Sequence, residues 1–195
     1  MWWPMEVYRQ HGFKSIEDIK VNPTSKKSLD VLNHLVHDAL ALIPDCLDFM
    51  SRVHNVELFK FCAIPQVMAI ATLERLYNNP RVYTGVVKIR KGTSCELILE
   101  TDSYAKFNAI FHDYSKMILA RVSPSHYKGE ETAALLKRII ILTQAGKDAQ
   151  VASGSSNVSR GVLGYIPMTV TLALGAAAVY GIYSHREVIV KSLSR

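Results

Sequence analysis

The chain has few cysteines, and their spacing does not match a metal site. Its 195 residues include Cys46, Cys62 and Cys95, an odd number without paired spacing. This pattern argues against a disulfide framework and against a cysteine-bound zinc. The start of the chain, MWWPME, also lacks the basic and apolar regions of a signal peptide. We therefore expect reduced cysteines in a domain that faces the cytosol.

Acidic residues are absent from positions 75 to 95. The same window contains Arg81, Lys88, Arg90 and Lys91, and the whole chain has a formal net charge of +6. Elsewhere the two signs are mixed, which does not fit a broad basic face for nucleic acid. The charge distribution instead predicts one local anion site and no nucleic-acid partner.

Charge is also absent from residues 161–183. About 20 apolar residues are enough to cross a bilayer as a helix. The glycines and Pro167 in this run weaken an isolated helix in water but are tolerated in lipid. We predict a C-terminal transmembrane anchor, with a buried core helix as the alternative. Basic residues flank both ends of the run, so charge alone does not set its orientation.

Hydrophobic periodicity elsewhere predicts an all-α fold. Apolar residues at steps of three and four predict an amphipathic helix from Leu29 to Ile43, which Pro44 should break or kink. A second helix is expected from Val56 to Tyr77, with Pro65 inside it. Further helices are expected at 94–101, 103–122 and 130–143. The small polar stretch 150–157 predicts a tether.

Two sequence motifs are specific enough to suggest chemistry. The first is Phe61–Leu73, with the sequence FCAIPQVMAIATL, and the second is KIRKG at 88–92. The first predicts an apolar helical surface with one amide, Gln66, and a helix-perturbing Pro65. Such a surface suits either ordinary core packing or the wall of a prenyl pocket, where the ring of Phe61 stabilises a carbocation.

The second motif has two possible geometries. In an extended backbone Lys88 and Arg90 point to one side. Thr93 and Glu96 then form a capping box, and the following helix directs its N-terminus at the same region. If the helix already includes Lys88, then Lys88 and Lys91 share a face and Arg90 diverges. The basic side chains are either solvated or form an anion site.

With Trp3-Pro4 upstream and Tyr77-Asn78-Asn79 between them, these motifs resemble the squalene synthase family over residues 3 to about 140. The resemblance implies part of an isoprenoid-synthase helical bundle, followed by a C-terminal transmembrane helix. It also implies condensation of two farnesyl diphosphates to presqualene diphosphate and reduction with NADPH to squalene in sterol biosynthesis. The implied location is the endoplasmic reticulum membrane, with the main domain facing the cytosol.

The resemblance also assigns site residues. It implies that the prenyl substrate is contacted by Phe61, Cys62, Pro65 and Gln66. It implies that NADPH is held by Lys88 and Arg90.

The family's magnesium-binding helices are not matched. The family holds Mg²⁺ with two aspartate-rich motifs, and neither is present in this sequence, so we expect no metal ligand here. Asp45 and Asp48 lie where the family has no such motif and are expected at the surface. His34 and His37 share a helix face, but no third ligand accompanies them.

The resemblance divides the chain into four segments. Residues 1–148 match the C-terminal portion of the catalytic domain, followed by a linker at 149–160, an anchor at 161–183 and a tail at 184–195. We expect the chain alone to be inactive. The alternatives are a phytoene-synthase-like prenyltransferase and a non-catalytic membrane-anchored helical adaptor or splice product.

Overall fold

Helices form all the regular structure of residues 3–153, the part of the chain that this computed structural model describes, with side chains described through residue 145. The predicted all-α fold is confirmed for this part. The predicted anchor at 161–183 and tail at 184–195 lie outside the described residues. The helices are α1 Met5–Gln10, α2 Ile16–Val21, α3 Lys26–Ala41, α4 Ile43–Ser51, α5 Val56–Leu76, a short 3₁₀ helix Pro80–Tyr83, α6 Lys91–Glu100, α7 Tyr104–Leu119 and α8 Gly129–Ser153.

Polar side chains cap several of the helix starts. In each case a side-chain oxygen accepts a hydrogen bond from the backbone N–H three residues later, which satisfies one of the unpaired donors of the first turn. The capping residues are Ser15, Ser25, Asn55 and Ser103. Pro44 lies in the first turn of α4, where a missing N–H disrupts no helical bond. The predicted break at Pro44 is therefore confirmed.

The core is built around α7, which packs along α8 and α5. Phe107 is fully buried and meets Phe111 and Phe59 at ring-centroid distances of 4.7 and 5.9 Å. From α5, Ala63, Val67 and Ile70 enter the same core. Because these residues recur at steps of three and four, only one face of α5 is buried in it.

Several helix boundaries differ from the sequence prediction, and two of the differences change a predicted feature. Helix α6 begins at Lys91 with Arg90 as its N-cap, so Thr93 lies within the first turn and the predicted capping box is wrong. The backbone N–H of Ser94 already bonds the Arg90 carbonyl at 3.0 Å, which places the helix start before Thr93. Helix α8 continues to Ser153, ten residues past the predicted end, and so includes the first residues of the predicted tether.

Within the described range, α5 is the one helix long and apolar enough to cross a membrane by length and composition. Its buried face nevertheless packs against α7. Length and composition therefore do not distinguish a membrane span from a core helix here.

Candidate functional site

The four residues of the predicted prenyl wall lie together on one face of α5. At about 100° per residue, Phe61, Cys62, Pro65 and Gln66 fall within an arc of about 140°. The buried face of α5, centred near Val67, lies roughly opposite. Phe61 is 52% exposed, and the other three are half-buried. In the described part of the chain Phe61 therefore lies at the surface, whereas Cys62 also packs against the core.

Pro65 leaves one backbone carbonyl of the predicted prenyl wall without its helical donor. Helix α5 continues through Pro65, which has no N–H to bond the carbonyl of Phe61 four residues earlier. Gln66 adds a second polar group, because its Oε1 is buried and has no hydrogen-bond partner in the described residues. Buried amide oxygens are usually satisfied. The Oε1 of Gln66 is therefore an unsatisfied acceptor among the described residues.

The predicted anion residues lie in the extended segment that leads into α6. Residues 86–90 are not helical, and Arg90 has φ −72° and ψ 150°. Lys88 and Arg90 are exposed, whereas Ile89 packs against the core. Arg90 has the extended backbone of the first predicted geometry, and the alternative in which α6 includes Lys88 is wrong.

The start of α6 adds to the positive potential beside Arg90. No side chain caps this helix, so the backbone N–H groups of its first turn are not bonded by a capping residue. Such groups favour an anion. Among the ion pairs of the described residues, none involves Lys88, Arg90 or Lys91. The segment that contains Lys88 and Arg90 therefore leads directly into the N-terminus of α6, which no side chain caps.

Helices α5 and α6 pack against each other. The apolar wall and the basic segment are thus on neighbouring elements. This arrangement offers an apolar surface for a hydrocarbon chain and, in the segment that leads into the adjoining helix, cationic groups for phosphate.

Comparison with known proteins identifies the relatives of this chain. The squalene/phytoene synthase family model matches residues 1–93. "Squalene synthase 1" of Arabidopsis thaliana is 37% identical over 151 residues, covering 77% of this chain and 36% of that protein. "Squalene synthase" of Solanum lycopersicum is 34% identical over 187 residues, covering 93% and 44%. "Squalene synthase ERG9" of Candida albicans is 46% identical over 119 residues, covering 60% and 26%.

This chain belongs to the squalene synthase family. It spans less than half the length of these curated relatives. Because the family model includes phytoene synthases but these relatives are squalene synthases, the phytoene-type alternative gains no separate support. A solved structure described as TcSQS with the ligand BPH1237 matches with a TM-score of 0.68 at 23% identity, over 75% of this chain and 43% of that one. That likeness establishes the fold.

The squalene synthase family requires a metal that the described residues do not fit. Within residues 3–145, no group of three or more His, Cys, Asp or Glu side chains is arranged to hold a metal ion. Asp45 and Asp48 are exposed on α4, as predicted, and Asp48 pairs with Arg52. We therefore assign no magnesium ligand to this part of the chain.

The histidines of α3 belong to a packing network. His34 Nδ1 lies 3.1 Å from His11 Nε2, and its ring stacks on Tyr127 with centroids 4.4 Å apart. His37 Nδ1 lies 2.8 Å from Thr132 Oγ1 on α8. Burial lowers the pKa of His11, His34 and His37 below the usual 6.5. These residues join helices rather than form a ligand set.

The buried polar contacts at the end of α5 are not predicted by any pattern in the sequence. Arg121 bonds both the Glu74 carboxylate, at 3.2 Å, and the Glu74 backbone carbonyl. The Tyr77 hydroxyl lies 3.0 Å from His126 Nδ1, and burial raises the pKa of Tyr77 to about 12. Both contacts join positions nearly 50 residues apart, so no local pattern signals them. They fix the C-terminal end of the helix that carries the prenyl wall.

Proposed function

We propose that this chain supplies the prenyl wall and the reductant-binding side of a squalene-synthase-type enzyme. The proposed substrates are farnesyl diphosphate and presqualene diphosphate, and the reductant is NADPH. The observation that carries the proposal is a partly exposed apolar face on α5 together with a cationic segment that leads into the neighbouring helix α6. Membership of the family supports the same reaction class.

On the prenyl side, the proposed roles follow from the side-chain chemistry. Phe61 presents an aromatic face, which stabilises a neighbouring cation most strongly where water is excluded. Cys62 and Pro65 extend the apolar surface. Gln66 has an unpartnered buried oxygen that accepts a hydrogen bond from an ordered water or positions the substrate. Together these groups hold a hydrocarbon chain and limit the access of water.

On the reductant side, Lys88 and Arg90 bind phosphate. The guanidinium of Arg90 can bond two phosphate oxygens at once, whereas the ammonium of Lys88 acts as a point charge. The uncapped start of α6 adds backbone donors beside them. When bound, NADPH supplies the hydride that reduces the prenyl cation. The residues of this chain hold its phosphates and orient it.

The same reasoning predicts that this chain has no turnover by itself. Ionisation of a diphosphate in this family needs carboxylate-bound Mg²⁺, and we assign no such ligand within residues 3–145. Purified chain incubated with farnesyl diphosphate, Mg²⁺ and NADPH should give no squalene by mass spectrometry. Detection of squalene under these conditions would disprove the proposed division of the site.

A binding experiment tests the reductant side directly. The full 195-residue chain in mild detergent should bind NADPH, measured by cofactor fluorescence, with an affinity that falls as salt rises. Lys88→Ala and Arg90→Ala should each weaken binding about tenfold, as expected for charge-assisted phosphate contacts. Lys137→Ala, which removes an exposed cation on α8, is the matched control and should leave binding unchanged. Equal losses in all three variants would contradict a local site.

The adaptor alternative makes the opposite prediction for ligands. A non-catalytic membrane-anchored helical adaptor would bind neither NADPH nor a farnesyl diphosphate analogue. Binding of either ligand that is lost on substitution of Arg90 or Phe61 would exclude it. We further propose that residues 161–183 anchor the chain in the endoplasmic reticulum membrane, with residues 1–148 on the cytosolic side.

A further inference from the structure

We propose that Asn33 is a positioning residue for the anion-binding pair Lys88 and Arg90, and that it acts through the backbone of Asn78. The inference rests on the proposed function, because it concerns the placement of the groups that would hold the phosphates of NADPH. Asn33 lies on α3, in a part of the sequence outside both motifs.

Asn33 and Asn78 form a reciprocal amide pair. The Asn33 side chain is 1% exposed, and its Nδ2 donates to Asn78 Oδ1 at 3.2 Å. Its Oδ1 accepts from the backbone N–H of Asn78 at 2.9 Å. One buried amide therefore holds both the side chain and the main chain of a residue 45 positions away.

The backbone conformation of Asn78 explains why such a pair is useful. Asn78 has φ +53°, in the left-handed region that side-chain-bearing residues rarely adopt. Asn tolerates this region better than most residues, but the conformation still needs support from its surroundings. The two bonds from Asn33 supply that support at the position where α5 ends and the chain reverses.

After Asn78 the chain is tied again to α3. The 3₁₀ helix Pro80–Tyr83 follows directly, and the Tyr83 hydroxyl donates to the backbone carbonyl of Ser28 at 2.6 Å. Ile89 then packs against the core between Lys88 and Arg90. The segment that carries the two cations thus starts from a turn whose direction α3 determines.

Asn33 lies among buried residues of α3, both apolar and polar. Its neighbours Val31, Leu32 and Val36 are buried apolar residues of the same helix. An apolar side chain at position 33 would pack there without a polar group to satisfy, but it would leave the Asn78 N–H without its partner. The side-chain amide of Asn33 therefore serves to hold the turn at Asn78 rather than to fill the core.

The test uses the full 195-residue chain in mild detergent, at a temperature where far-UV circular dichroism shows every variant folded. Asn33→Ala should weaken NADPH binding about tenfold, because a shifted segment misplaces both cations. Asn33→Ala combined with Asn78→Gly should recover most of the affinity, since glycine adopts the left-handed conformation without support. Ile139→Val, a buried change on α8, is the control for general destabilisation and should leave binding unchanged.

A second readout does not depend on any ligand. Limited trypsin digestion of the folded chain reports how firmly the segment is held, because Lys88 and Arg90 are themselves cleavage sites in an exposed stretch. Cleavage after these residues should accelerate in Asn33→Ala and return towards the wild-type rate with Asn78→Gly. Cleavage elsewhere should not change in parallel.

The outcomes separate the two proposals. Unchanged NADPH affinity and unchanged local cleavage in Asn33→Ala would overturn the positioning role. So would losses that the Ile139→Val control reproduces or that Asn78→Gly fails to restore. If the wild-type chain does not bind NADPH, the proposed reductant site fails. The rate of cleavage after Lys88 and Arg90, and its recovery with Asn78→Gly, then decide the role of Asn33 alone.

Discussion

Loss of the Arg121 guanidinium should destabilise the fold more than loss of any neighbouring surface cation. The Glu74 side chain is 10% exposed at the C-terminal end of α5. Arg121 Nη2 lies 3.2 Å from its Oε1 and also bonds the Glu74 backbone carbonyl. Arg75 Nε lies 3.3 Å from the other carboxylate oxygen. Arg121→Ala therefore removes a charge partner and a hydrogen-bond donor to a helix-end carbonyl.

The expected magnitude follows from the burial of the two partners. Removing one partner of a buried ion pair costs about 3–5 kcal/mol, whereas exposed pairs contribute about 0.2–1 kcal/mol. The Arg121 side chain is 41% exposed, so solvent screens part of the interaction. We expect Arg121→Ala to lower the free energy of unfolding by about 2 kcal/mol. Arg75→Ala, which leaves Arg121 in place, should cost under about 1 kcal/mol.

Urea denaturation of the full chain in mild detergent, followed by circular dichroism, measures both variants. A double-mutant cycle with Glu74→Gln isolates the coupling between residues 74 and 121. A loss in Arg121→Ala no larger than that in Arg75→Ala would refute the assignment of the buried pair. So would a cycle with no coupling energy.

Three further results are expected. The free energy of unfolding should decrease as the pH is lowered below about 6.5. The reason is that burial, as the largest cause, lowers the pKa of His11, His34, His37 and His126 in the folded chain. The unfolded chain then binds protons that the folded chain does not, and a Tm that stays constant from pH 7.5 to 5.5 would contradict this. Pro65→Ala should raise the free energy of unfolding by about 1–3 kcal/mol, since it restores an N–H to the Phe61 carbonyl. The same change should weaken binding of a farnesyl diphosphate analogue, and an unchanged Tm with unchanged binding would contradict the proposed role of Pro65. Deletion of residues 161–183 should release the chain from microsomes in alkaline carbonate, and continued retention would contradict the proposed anchor.

The sequence predicts well those features that depend on local chemistry. Helix α5 has the predicted start at Val56, and it ends one residue before the predicted position, beside Asn78 and Pro80. The break at Pro44 follows from the missing N–H of proline. Arg90 has an extended backbone and residues 86–90 are not helical, which agrees with one of the two geometries that the sequence allows.

Features that depend on distant contacts were not predictable in this way. The pairing of Asn33 with Asn78, like that of Glu74 with Arg121, joins different helices and leaves no periodic signal. The start of α6 was misplaced because Thr93 and Glu96 have the spacing of a capping box, whereas the helix begins at Lys91. The sequence does contain a local signal for the start of helix α2, the capping box formed by Ser15 and Asp18.

The exposure pattern of α5 is the strongest physical argument that its second face has a role beyond folding. Leu58 and Phe61 are each more than half exposed, and at about 100° per residue Pro65 lies on the same side of the helix. Single apolar residues on a surface need no explanation, but a contiguous apolar patch marks a surface that binds something. The fold of residues 3–145 is already stabilised by the opposite face, through Ala63, Val67 and Ile70. We propose that this exposed face contacts the prenyl chain of the substrate, which has the apolar chemistry that such a surface favours.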